Sequence, residues 1–149
     1  MTSVKKAASR GFTIVELLIV IVVIGILAGL VVVTYNGIQK KARDTERKTD
    51  INALHGQLEA YQAQNGKYPT LTDVNDSTWR TANMKGLSGD ALQDPNGDAQ
   101  TLEAASDAND YSYVAAPADC DNGAAGDCTS YTLTATLEGG GTYVKQSLN

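Results

Sequence analysis

An uninterrupted apolar run constrains this chain more than any other feature. The run from Leu17 to Val33 contains no charged or strongly polar side chain. A helix from Phe12 to Val33 would be about 33 Å long at about 1.5 Å per residue, which matches a hydrocarbon core about 30 Å thick. Ordinary signal peptidase finds no good site in the run, because no position has small residues both one and three places before the cut. The sequence therefore predicts a helix that can span a bilayer.

Charge is distributed unevenly along the rest of the chain. The chain has 149 residues and a net charge of -5, a size that suits one modest domain plus an extra element. From Gly86 to the end there are ten acidic residues and a single basic one, Lys145. Such a surface repels phosphate backbones, so we expect no nucleic acid as a partner. Cys120 and Cys128 lie in this same half, and we expect them to pair if it faces an oxidising compartment.

Helical signals continue beyond the apolar run. From Tyr35 to Asp50 basic and acidic side chains alternate irregularly, which predicts a solvated helix surface with local ion pairs. One apolar stripe at helical spacing then follows, formed by Ile51, Leu54, Leu58 and Tyr61. Asn65-Gly66 with Pro69 shortly after is typical of a helix end. We therefore predict one helical unit from about Phe12 to about Gln64, with weak points at Gly25, Gly29 and Asn36-Gly37.

The periodicity changes to two in the last third of the chain. Residues 70–109 are rich in turn formers and predict mostly loop with one helical turn, anchored by Trp79, Met84, Leu87 and Leu92. Tyr111 and Tyr113 then alternate with polar residues, and so does the stretch from Tyr131 to Glu138. Gly139-Gly140-Gly141 predicts a turn into a partner strand, Thr142 to Gln146. The expected fold is α+β, a long N-terminal helix with a small antiparallel sheet packed on its second half.

One carboxylate, Glu16, lies at the start of the predicted membrane helix. A charge at the centre of such a helix costs about 2.5 to 3.5 kcal/mol, and less near its edge. Arg10 lies on another helical face and is a poor fixed partner, so one interpretation is that Glu16 simply stays hydrated among the headgroups. The other comes from its neighbours. The segment Gly11-Phe12-Thr13-Ile14-Val15-Glu16-Leu17-Leu18, behind a short basic leader and ahead of the apolar run, resembles the processing signature of type IV pilins and pseudopilins.

That resemblance implies both processing and assembly. In the family a membrane-embedded prepilin peptidase cuts after the glycine and methylates the new amino terminus, which here places the cut between Gly11 and Phe12. Glu16 matches the family's glutamate that is associated with pairing to the amino terminus of a neighbouring subunit. Opposite charges about 4 Å apart attract by about 4 kcal/mol at an effective dielectric near 20, similar to the insertion cost. The implied partners are other copies of the chain in a helical filament, the peptidase, a membrane assembly platform, and lipid before assembly.

Beyond the N-terminus the resemblance thins. Many pilins carry a proline where this chain has Val33, so their helix kink is not predicted. Asn65-Gly66-Lys67-Tyr68-Pro69 is similar to the step that ends the long helix in many pilins and major pseudopilins. Asp94-Pro95-Asn96-Gly97, followed by Tyr111-Ser112-Tyr113, is similar to a further element of that group. The implied layout is a leader at 1–11, a transmembrane and assembly half of the helix at 12–33, an amphipathic half at 34–65 and a globular pilin head at 66–149.

Metal sites and enzymatic activity have weaker support. Some major pseudopilins bind calcium in an acidic distal loop, so the resemblance makes calcium candidates of four carboxylates, Asp94, Asp98, Asp119 and Asp121. An EF-hand template does not fit, because Ala99 stands where glycine is needed, and a solvated loop is the default. His55 and the two cysteines form no zinc motif, which leaves a disulfide as the expectation. No nucleophile elbow, phosphate loop or metalloprotease spacing occurs, so we expect no cofactor and no enzyme.

Three functions remain open on the sequence alone. The leading hypothesis is a structural subunit of a type IV pilus or related filament. The first alternative is a major pseudopilin of a type II secretion or competence system, and the second is a single-pass membrane-anchored protein whose head binds a ligand. Positive charges flank the apolar run on both sides, so they do not orient it. The resemblance implies a cytoplasmic N-terminus in the cytoplasmic membrane before assembly and a cell-surface filament afterwards.

Overall fold

The structure, a computed structural model, describes residues 11–149, so the basic part of the predicted leader, with Lys5, Lys6 and Arg10, lies outside the described residues. The helices are α1 (Ile14–Asn65), α2 (Leu71–Asn75) and α3 (Ser77–Asn83), followed by a 3-10 helix (Gly89–Leu92). The strands are β1 (Ser112–Ala116), β2 (Ser130–Thr136) and β3 (Thr142–Gln146). Two compact units result, one ending at Ile38 and the other formed by Gln39–Asn149. The predicted α+β class is confirmed.

Helix α1 begins and ends within two residues of its predicted bounds. At its C-terminus Gly66 has φ +77°, and its N–H donates to the carbonyl of Gln62 at 2.7 Å. This left-handed position favours glycine and satisfies one of the last helical carbonyls. The helix continues without interruption through Gly25, Gly29 and Gly37, where the sequence suggested weak points.

The first unit exposes apolar side chains on every face of the helix. Each large apolar side chain from Phe12 to Ile38 is at least 48% exposed. By length and composition the helix can cross a membrane. Burying one such side chain contributes about 1.5 to 3 kcal/mol, and a helix that is apolar all round is normally buried in protein or lipid. These residues therefore need a lipid or protein environment.

The second unit contains the sheet and the core. The three strands are antiparallel in the order β1-β2-β3, and β2 alternates as predicted, with Tyr131, Leu133 and Ala135 buried between half-buried polar residues. The predicted glycine turn is confirmed, since the Leu137 N–H donates to the carbonyl of Gly141 at 3.0 Å. The core also includes three fully buried residues of the predicted helical stripe, Ile51, Leu54 and Leu58. Packing of the sheet onto the second half of α1 follows.

The segment between α1 and the sheet is more helical than predicted. The expectation of mostly loop is confirmed, but the expectation of one helical turn was wrong, because two short α-helices and a 3-10 helix occur there. Each begins with its own side-chain cap: Thr70 forms a capping box with Asp73, Asp76 caps α3, and Ser88 caps the 3-10 helix. Asp and Ser are turn formers in composition but strong helix N-caps in position, which explains the error.

Candidate assembly site

Thr13 and Glu16 form a reciprocal capping box at the start of α1. The Thr13 N–H donates to Glu16 Oε2 at 2.9 Å, and the Thr13 hydroxyl donates to the same oxygen at 2.7 Å. In return the Glu16 N–H donates to Thr13 Oγ1 at 3.2 Å. The box satisfies N–H groups that have no partner within the helix. Glu16 thus has a local structural role that our sequence analysis missed, although Thr-x-x-Glu before an apolar run is its signature.

The carboxylate of Glu16 is also able to bind a second partner. The capping box uses only one of its oxygens, Oε2, and an ionised carboxylate has several acceptor positions. Within residues 11–149, none of the ion pairs involves Glu16. Glu16 can therefore cap the start of α1 and, at the same time, accept a hydrogen bond from an ammonium group of another molecule.

The predicted cut lies just before this capping box. Gly11 and Phe12 are exposed and have non-helical backbone, two residues ahead of α1. A peptidase can reach such backbone without unwinding the helix. Cleavage between them would leave the box intact, because Thr13 and Glu16 both follow the cut. The new ammonium group would belong to Phe12, one residue from the helix cap.

A buried ion-pair network joins α1 to the head. Arg47 is completely buried, and its guanidinium pairs with both oxygens of Asp94, with Nε to Oδ2 at 2.7 Å and Nη2 to Oδ1 at 2.8 Å. Nη1 donates to Asp44 at 2.8 Å and to Glu138 at 3.1 Å. Hydrogen bonds to Asp94 raise the pKa of Arg47, so it stays charged. One side chain thus connects the helix, the turn after the 3-10 helix and the β2–β3 turn.

Arg43 extends this network. It donates to Glu138 from Nε at 2.5 Å and from Nη2 at 2.7 Å, and these contacts lower the pKa of Glu138 to about 2. The N–H groups of Glu138 and Gly139 donate to Asp44 at 2.8 and 2.9 Å. The prediction of a solvated helix surface was therefore wrong for Arg47, which is completely buried, whereas Arg43 stays partly exposed. Apart from Asp44, which is three residues from Arg47, their partners lie 47 to 95 positions away in sequence, where no local pattern indicates them.

The four calcium candidates are not brought together. Both oxygens of Asp94 bind the guanidinium of Arg47, and one oxygen of Asp121 accepts the N–H groups of Gly123 and Ala125 at 2.8 and 2.9 Å. Asp98 and Asp119 are exposed. In the part of the chain that the structure describes, no three His, Cys, Asp or Glu side chains form a group that could hold a metal ion. The carboxylate of Asp94 is paired with an arginine. Calcium binding by the other three candidates stays a prediction from the sequence.

The predicted disulfide between Cys120 and Cys128 is present. Its loop is fixed to the segment that follows α1. The Tyr68 N–H donates to the carbonyl of Cys128 at 2.8 Å, and Asn122 Nδ2 donates to the carbonyl of Tyr68 at 2.8 Å. Lys67 pairs with Asp127 at 2.9 Å on the surface. The disulfide therefore closes a loop that is already anchored to the helix end.

His55 has a structural contact on the head and lies in no site with the cysteines. Its Nδ1 lies 2.7 Å from the hydroxyl of Tyr131, and that hydroxyl donates to Glu59 at 2.8 Å. Because a phenol has one proton to donate, the Tyr131 oxygen accepts from His55. Tyr68 donates to the other oxygen of Glu59 at 3.0 Å, so the Glu59 carboxylate accepts hydrogen bonds from two tyrosines of the core.

Known proteins match the chain at both its N-terminus and its head. A family model described as the prokaryotic N-terminal methylation motif matches residues 6–32. Type II secretion system core protein G of Escherichia coli (strain K12) is 36% identical over 105 residues, which cover 70% of this chain and 71% of the relative. The chain belongs to the type II secretion system core protein G family of type IV pilin-like proteins.

Other core protein G relatives match mainly one segment. The relative from Dickeya chrysanthemi is 46% identical over 61 residues, covering 41% of this chain and 40% of the relative. The relative from Klebsiella pneumoniae is 44% identical over 61 residues, covering 41% of this chain and 44% of the relative. The chain thus spans about two-fifths of the length of these two proteins, and no solved structure matches it. Membership of the core protein G family supports the pseudopilin alternative better than the leading hypothesis of a pilus subunit.

Proposed function

We propose that this chain is a non-enzymatic structural subunit of a type II secretion pseudopilus. The observation that carries the proposal is a helix whose apolar side chains are exposed on all faces and whose N-terminal part lies within the methylation motif matched at residues 6–32. Such a helix can be buried either in lipid or against copies of itself. It therefore suits a subunit that leaves the membrane for a filament without changing fold.

The proposed sequence of events follows from the order of residues. The chain inserts with its N-terminus in the cytoplasm, and a prepilin peptidase cuts between Gly11 and Phe12. Phe12 is then methylated, and Glu16 pairs with the Phe12 amino group of a neighbouring subunit through the oxygen that the capping box does not use. The disulfide between Cys120 and Cys128 supports a head on the oxidising side of the membrane.

The proposal is tested by deleting the gene from its native strain. Proteins that normally reach the medium through type II secretion should then remain with the cells, and a plasmid carrying the full chain should restore their release. The pseudopilus function is contradicted if secretion is unaffected. Unaffected secretion together with loss of sheared surface filaments would instead support the pilus subunit that the sequence first suggested.

A further inference from the structure

One edge of the sheet, together with the adjacent helix, carries two lysines around a tyrosine. Lys48 of α1 and Lys145 of β3 each place Nζ 5.9 Å from the centroid of the Tyr143 ring. The Tyr143 hydroxyl donates to Asn52 at 3.1 Å, which fixes the ring against α1. We call Lys48, Tyr143 and Lys145 the basic edge.

Among the described residues, no acidic side chain forms an ion pair with the two lysines of the basic edge. In residues 11–149 the ion pairs involve Arg43, Arg47 and Lys67, and neither Lys48 nor Lys145. A ring face stabilises each cation by only about 0.5 to 1 kcal/mol at an exposed site, so the positive charge of each lysine stays available. The arrangement is therefore suited to an anionic partner from outside the chain.

The opposite edge of the sheet is acidic. Residues 98–110 run beside β1, where the Glu103 N–H donates to the carbonyl of Tyr111 at 2.9 Å and the Tyr113 N–H donates to the carbonyl of Glu103 at 2.9 Å. This segment contains no Lys or Arg and four carboxylates, Asp98, Glu103, Asp107 and Asp110. We call residues 98–110 the acidic edge.

The acidic edge has carboxylates available for binding. The side chains of Asp98 and Glu103 are exposed and enter none of the ion pairs within residues 11–149. In the loop closed by the disulfide, two carboxylates already have partners within the chain. Asp127 pairs with Lys67, and Asp121 accepts hydrogen bonds from two backbone N–H groups. Exposed carboxylates outside the ion pairs of residues 11–149 thus lie beside β1.

We propose that the basic edge of one subunit binds the acidic edge of a second copy of this chain. The proposal rests on the proposed function, since it concerns contacts between heads in the filament. Strands lie about 4.8 Å apart and are ordered β1-β2-β3, so the two edges lie on opposite sides of one sheet and do not pair within the chain. A contact between two different surfaces is heterologous, and its repetition builds an open helical filament when the rotation between copies does not close into a ring.

Anionic lipid is a less suitable partner for the basic edge. The headgroup layer on one side of a bilayer is about 7 Å thick, which corresponds to about five helical residues. Lys48 lies fifteen residues after Val33, the last residue of the apolar run. That separation along the chain favours a protein partner, and the acidic surface available in a filament of identical subunits is that of another copy.

The test reverses the charge of the basic edge in the full chain, produced with its assembly machinery. The double variant Lys48→Glu/Lys145→Glu should reduce the subunit recovered in assembled filaments by about tenfold, because two exposed ion pairs per contact become repulsive. The level in membranes, N-terminal processing and the native disulfide should stay normal. Lys85→Glu is the matched control, an exposed lysine outside both edges, and it should assemble normally.

A charge swap decides between the possible partners. Adding Asp98→Lys/Glu103→Lys to the double variant should restore filaments, because the contact is then inverted. Normal filaments from the double variant, or a swap that restores nothing, would overturn the edge contact and leave the proposed function standing. Loss of binding to vesicles of anionic lipid, with no rescue by the swap, would assign the surface to lipid instead. Failure of the wild-type chain to form filaments would overturn the proposed function itself.

Discussion

Replacing Glu16 with Gln should abolish filament assembly and leave the start of α1 intact. Gln keeps an oxygen that can accept the Thr13 N–H and hydroxyl contacts seen at 2.9 and 2.7 Å, and Gln is accepted at this position of a capping box. It lacks the charge that attracts a neighbouring ammonium group by about 4 kcal/mol at 4 Å and a dielectric near 20. We expect the amount of assembled filament to fall by at least about a hundredfold, as that energy implies, with membrane levels unchanged.

Thr13→Ala is the control for this substitution. It removes the hydroxyl of the capping box, at a cost of about 1 kcal/mol to the helix start, and keeps the Glu16 charge, so assembly should persist. Glu16→Ala removes both roles and should fail like the Gln variant. If Glu16→Gln assembled normally while Thr13→Ala did not, Glu16 would be a helix cap and would have no part in pairing subunits.

Replacing Asp94 with Ala should destabilise the head by about 3 to 5 kcal/mol. The substitution leaves the guanidinium of Arg47 buried at 0% exposure without the two oxygens that bind it at 2.7 and 2.8 Å. Breaking a buried pair from one side has a cost of this size, which is a large part of the 5 to 15 kcal/mol typical of a domain. Denaturant unfolding of the full chain in detergent, followed by the near-ultraviolet dichroism of the core tyrosines, measures the change.

Two further variants show whether burial is the cause. Lys67→Ala removes a surface pair whose side chains are 30% and 60% exposed, so it should cost no more than about 1 kcal/mol. Arg47→Met/Asp94→Leu replaces both buried charges with apolar groups and should recover most of the stability lost in Asp94→Ala, as such replacements often do. Equal effects of Asp94→Ala and Lys67→Ala would contradict the account of the network.

The features predicted correctly from sequence depend on local signals. The end of α1 at Asn65 is indicated by the next residue, Gly66, whose positive φ is confirmed. The buried stripe of α1 and the alternation of β2 follow from periods of 3.6 and 2, and the three-glycine turn follows from backbone freedom. The capping box of Thr13 and Glu16 was equally local and could have been predicted from the Thr-x-x-Glu spacing.

The features that were missed depend on contacts between distant residues. Arg47 and Asp94 are 47 positions apart, and each lies among other charged or polar residues, so neither has a pattern that indicates burial. The separation of the basic and acidic edges depends on the strand order β1-β2-β3, which alternation alone does not determine. The sequence shows which residues are charged, but only the tertiary fold determines which of them are buried together and which lie on opposite edges.

The intact mass of the chain isolated from cells with an active prepilin peptidase tests the central claim most directly. The account predicts the loss of residues 1–11 and the gain of one methyl group, with the remaining chain beginning at Phe12. A strain without the peptidase should yield the unprocessed chain and no filaments. A chain recovered from filaments with its leader retained, or cut at any other bond, would contradict the account.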